Sequence, residues 1–135
     1  MTLLRFLNVT AALLSPLAIA QSLDFNVYRT KVEPIFMKKR PSHARCVVCH
    51  TNAGRTFRLE AFAQGATTWS EAQSRQNFER VSKLVKPGDL KGSLLLRQPL
   101  AKEAGGEEFH SGGRQFTSQT DADWKTIADW VSSAK

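Results

Sequence analysis

Cys46-Val47-Val48-Cys49-His50 is the stretch on which the reading of this chain turns. Two cysteines two residues apart and followed at once by histidine form a CxxCH pattern, the attachment site of a covalent c-type haem. The chemistry needs that spacing. Two thiols about one helical turn apart reach the two vinyl groups of one porphyrin and become thioethers, and the histidine takes the iron from the same side. These are the chain's 2 cysteines, so no structural disulfide can form beside an attached haem. Three other readings of the bare pentapeptide stay open. A thioredoxin-like couple would open a helix in a βαβ pattern, which does not surround it. A zinc site would recruit His50, His43 or His110, and an ordinary disulfide would need nothing further.

Outward from the motif, the N-terminus bears on the choice. Met1 to Arg5 is a short segment with one positive charge, Phe6 to Ala20 is mostly apolar, and Ala18-Ile19-Ala20 is a small-x-small cleavage site before Gln21. Residues 1–20 are therefore expected to be a secretory signal peptide and residues 21–135 the mature domain. The apolar run, broken by Asn8, Thr10, Ser15 and Pro16, is shorter than the roughly 20 residues of a membrane span. Haem is attached to such proteins outside the bacterial inner membrane, so a periplasmic destination is what the haem reading requires.

Leaving out Arg5, 18 of the 19 basic residues remain against 12 acidic ones, a net of +6. Such a surface suits an acidic redox partner or an anionic membrane face, although the basic residues are scattered and equally suit a solvated exterior. Beyond net charge nothing points to nucleic acid. A mature chain this short is small for a core of side chains alone, and a buried haem would supply apolar interior. No Ser/His/Asp set, carboxylate pair or phosphate loop indicates an enzyme.

The pattern along the chain is helical. Phe25, Tyr28 and Val32 fall on one helix face, with Ser22 or Asp24 as cap and Pro34 ending or bending the helix. Thr56 to Phe62 alternates loosely as a short extended segment. Ser70 and Gln73 resemble a capping box ahead of Phe78, Val81 and Val85, and Pro87-Gly88 closes that helix. Ser93 to Arg97 is a short helix. A glycine-rich loop spans Gly105 to Phe116. Thr120 and Asp123 start a last amphipathic helix lined by Trp124, Ile127 and Val131, with Trp130 beside them.

This layout resembles a class I c-type cytochrome, and Val32-Glu33-Pro34-Ile35-Phe36, Phe57-Arg58-Leu59-Glu60, Val85-Lys86-Pro87-Gly88-Asp89, Ser93-Leu94-Leu95-Leu96 and Trp124 to Val131 resemble planctomycete-type cytochrome c domains. The resemblance implies an all-α fold with long loops, in which the first and last helices cross beside one covalent haem c. It implies Cys46 and Cys49 as thioether anchors and His50 as proximal iron ligand. It also implies a distal methionine in the loop before the last helix, and here the sequence departs: its methionines are Met1 and Met37, while the loop offers His110, 60 residues after His50. His110 is thus the expected distal ligand, with His43 and Met37 as weaker candidates. Arg97, Arg114 or Trp69 would donate to the propionates, and Phe57, Leu59, Leu95, Phe109 and Phe116 would wall the pocket.

The expected function is single-electron transfer between redox proteins, at a potential lowered by imidazole in place of a thioether. The alternatives are a haem enzyme or a gas- or peroxide-binding sensor with a vacant distal site, and an electron-transfer subunit of a larger respiratory complex.

Overall fold

The structure, a computed structural model, describes residues 22–51 and 54–134. The expected signal peptide lies outside the described residues. Among those described the protein is all-α, with no sheet; two isolated bridges, Lys86 with Asp89 and Leu100 with Phe116, are the extended pairings.

The first helix is built in three parts, α1 (Phe25–Val27), a π-helical turn (Tyr28–Val32) and α2 (Glu33–Met37). Asp24 caps it by accepting from the Val27 amide at 2.9 Å. Pro34 does not end the helix. A proline ring inside an α-helix collides with the carbonyl four residues back and offers no N–H. Here the preceding turn is widened by one residue, the Glu33 amide donates to Tyr28 O, and Pro34 falls in the first turn of the segment that follows. The chain therefore stays helical to Met37, and Ile35 and Phe36 join Tyr28 and Val32 in the core.

α3 (Cys46–His50) is a short helix opened by Arg45, whose backbone is extended. The capping box of α4 (Glu71–Ser82) forms as the sequence implies, Ser70 and Gln73 each bonding the other's backbone. α5 (Leu94–Arg97) buries Leu95 and Leu96. α6 (Ala122–Ser132) buries Trp124, Ile127, Ala128, Trp130 and Val131. Its cap is Asp121 rather than Thr120: Asp121 Oδ1 accepts from the Asp123 and Trp124 amides at 2.9 and 3.3 Å, while Thr120 Oγ1 is taken by the Ser118 hydroxyl.

The first helix and α6 meet in the core. The Tyr28 and Trp130 rings lie 5.5 Å apart, and Trp130 Nε1 donates to Asp24 O at 2.9 Å. The Pro87-Gly88 turn is tied to α6 by the Gly88 amide bonding Val131 O, and Trp124 Nε1 donates to Leu96 O of α5. Thr56 to Phe62 forms no strand. It passes as irregular backbone over α4, with Leu59 in the core, Phe57 half-buried and Ala61 exposed.

Candidate functional site

Between α2, α3, α5, α6 and the loop before α6 lies a cavity of about 620 Å3, within the range of cofactor sites, roughly 300–1,000 Å3. Ile35, Phe36, Leu95, Phe116 and Ile127 give it an apolar wall, and Cys46, Cys49, His50 and His110 all line it. The near-full turn between Cys46 and Cys49 puts both thiols on the cavity side of α3. Both are free, and burial, above all other influences, pushes the Cys46 thiol up to about 11.

The two histidines are arranged as a pair. Their ring centroids are 6.2 Å apart with 21° between the planes. A metal–imidazole bond is about 2.0–2.1 Å long and the ring centre lies ~1.1 Å beyond the nitrogen, so two imidazoles sharing one metal from opposite sides place their centroids roughly 6.2–6.4 Å apart. Each ring is also held by its other nitrogen. His50 Nδ1 donates to Phe57 O at 2.8 Å, and His110 Nδ1 donates to Gly113 O at 2.6 Å. Nδ1 is thereby the donor of both rings and Nε2 the atom left to ligate a metal, the arrangement in which a ligating histidine turns its N–H to a carbonyl. Burial holds the His50 pKa below its ordinary value, with His110 and Arg55 adding to the effect and the Phe57 bond opposing it.

The loop that presents His110 is closed and then fastened. Its ends meet where Phe116 N donates to Pro99 O and Ala101 N to Phe116 O. Gln115 Nε2 bonds Ala44 O, in the approach to Cys46, at 3.1 Å, and Arg55 reaches Ser111 Oγ from the segment after His50 at 3.4 Å. Gly113 has φ +81°, and a Cβ there would stand 2.8 Å from the His43 ring. The close approach at Gly106 is to backbone and not to a ligand: a Cβ would lie 1.9 Å from Leu100 O.

The other sequence candidates fall elsewhere. Among the described residues His43 and Met37 do not line the cavity; His43 Nδ1 bonds Pro41 O, and Met37 packs on the core. Trp69 Nε1 is engaged by Glu60 O, Arg97 pairs with Glu107, and the Arg114 guanidinium turns to Glu108 O. These three are outside the cavity, and the arginines that line it are Arg45 and Arg55. Of the proposed wall, Phe57, Leu95, Phe109 and Phe116 line the cavity and Leu59 is core. Phe109, beside His110, is 82% exposed. Among the described residues no three His, Cys, Asp or Glu side chains converge on one point as a metal site.

No protein-family model matches the chain. Neither the curated proteins nor the solved structures contain a significant match.

Proposed function

We propose that the protein is an exported monohaem c-type cytochrome, similar to the planctomycete-type domains of class I, that passes single electrons between redox partners. One observation carries the reading: two imidazoles at a separation suited to a shared metal, each locked through Nδ1, in an apolar cavity that two thiols of a CxxCH helix also line. Haem c, when bound, supplies one-electron exchange between Fe(III) and Fe(II).

The residues divide the work. Cys46 and Cys49 would tether the porphyrin, and His50 and His110 would ligate its iron. Two imidazole ligands would leave the iron no open coordination site for a substrate, which suits a carrier better than an enzyme. Ile35, Phe36, Leu95, Phe116 and Ile127 would exclude water, while Arg45 and Arg55, the arginines of the cavity lining, would offer cations to the propionates. The packing of the first helix on α6 supports the reading, since class I cytochromes cross their first and last helices. The basic surface suits an acidic redox partner, either free in the periplasm or in a membrane-bound complex.

The test is a haem stain of the denatured protein, with ferric and ferrous absorption and EPR spectra of wild type beside His110→Ala. Wild type should retain haem through denaturation and be low-spin. The variant should become high-spin and bind carbon monoxide rapidly when reduced. A low-spin signal unchanged in the variant removes His110 from the iron. A high-spin wild type that binds carbon monoxide without displacing a ligand turns the reading to a sensor or peroxide enzyme.

A further inference from the structure

The orientation of His50 depends on one carbonyl, Phe57 O, and that carbonyl belongs to a stretch with no regular structure of its own. Irregular backbone holds a fixed position only when its polar groups are answered from elsewhere. Here the answer comes largely from α4 and the turn before it. Asn77 Oδ1 accepts from the Glu60 amide at 2.7 Å, Gln73 Nε2 donates to Ala61 O at 2.8 Å, and Arg80 pairs with the Glu60 carboxylate at 2.5 Å. Trp69 Nε1 donates to Glu60 O at 2.7 Å. One residue back, the Leu59 amide returns to His50 O at 2.7 Å, closing a loop that begins and ends on the histidine.

Asn77 stands apart among these clamps because it is fully buried, at 0% exposure, whereas Gln73 and Arg80 reach solvent. A buried amide acceptor is unreplaced by water when it is removed, so the Glu60 N–H would be left unanswered.

We propose that Asn77 is a positioning residue for the proximal imidazole, acting through Glu60 and Leu59 to hold Phe57 O on His50 Nδ1–H. The inference rests on the haem reading, because its consequence is electronic. A firm Nδ1–H···O=C bond raises the basicity of the ligating nitrogen and so favours the oxidised iron. A slack one favours the reduced iron and raises the potential.

The experiment compares haem-loaded wild type, Asn77→Leu and Val81→Ala. Val81 is an equally buried core residue of α4 that makes no bond to the segment. Three readouts are taken: reduction potential, hydrogen exchange of the His50 Nδ1 proton by NMR, and melting temperature. Both variants should melt lower, but only Asn77→Leu should shift the potential upward and speed exchange of that proton. Equal shifts in both variants, or neither shift in Asn77→Leu, overturn the proposal and leave the cytochrome reading standing. A wild type without covalent haem sinks that reading and this one with it. Should Asn77→Leu not fold, Asn77→Ala removes the same acceptor with less bulk and carries the comparison.

Discussion

Glu33 is a carboxyl side chain buried to 3% exposure at the end of the π-helical turn, with one oxygen taken by the Ser74 hydroxyl at 2.9 Å and the other without a hydrogen-bond partner among the described residues. Burial raises its pKa, while Ser74, Asn77 and Arg29 pull it down less strongly. The neighbouring Tyr28 hydroxyl is pushed up as well, first by burial and then by the Glu33 charge. An acid whose folded pKa is raised contributes stability that is fully present below its unfolded value, about 4.3, and lost as the pH climbs through the folded value. Glu33→Gln keeps the shape and removes the ionisation. Its melting temperature should track wild type near pH 4 and exceed it as the pH rises through the folded value, then hold that lead; parallel curves across the range would count against a buried, titrating Glu33. Nothing in the sequence announces this burial, since a glutamate before proline has the pattern of an exposed helix end. His50 and His110 were legible because a motif and a spacing name them. Arg45 and Arg55 were not, because which arginine borders a cavity depends on the path of loops that have no periodicity.

At the level of elements, faces were legible and ends were less so. The stripes Phe25, Tyr28, Val32 and Trp124, Ile127, Val131 follow from a 3.6-residue period that packing then enforces. The π-helical turn did not follow, because it is the backbone's accommodation of Pro34 and leaves the side-chain pattern nearly unchanged. The sequence pattern starts α6 at Thr120, and the structure moves the cap to Asp121, whose carboxylate is held from outside. Arg40 bonds Asp121 and Asp123, Lys38 adds Asp123 at 2.8 Å, and the Arg40 guanidinium lies 4.6 Å from the centre of the Phe116 ring. One cluster thus joins the approach to Cys46, the end of the His110 loop and the last helix. Burial raises the Asp121 pKa, but Arg40 and the two capped amides together outweigh it, and the net direction is downward. A carboxyl with a depressed folded pKa stabilises above its unfolded value, about 3.9, and loses that contribution as the pH falls through the folded one. Asp121→Ala should cost about 1–2 kcal/mol at neutral pH, the usual loss of a helix cap. Its deficit, measured by denaturant titration, should shrink as the pH is lowered below about 4. A deficit independent of pH would mean that the cap's charge is immaterial.

For the molecule as a whole the cavity is the controlling fact. Ile35 and Phe36 of α2, Leu95 of α5 and Ile127 of α6 line it from three different helices, so the core is divided around a space that the described side chains do not fill. Left to water, that apolar wall forgoes about 25 cal/mol for each Å2 that a bound group would cover, in a domain held folded by only ~5–15 kcal/mol. Under the proposed function the group that fills the space is covalently attached, so the thiols that attach it also keep the core complete. Cys46→Ala combined with Cys49→Ala removes both tethers while leaving His50, His110 and every helix cap in place. The double variant should lose the sharp thermal transition of wild type, with helical far-ultraviolet dichroism largely kept and the near-ultraviolet signal of the buried Trp124 and Trp130 weakened. Free haem added to it should restore part of the transition in proportion to occupancy, because a ligand that binds only the folded state stabilises it by mass action. A double variant that melts as sharply and as high as wild type without haem would show that the chain closes its core unaided. The cavity would then have to be explained without a resident cofactor.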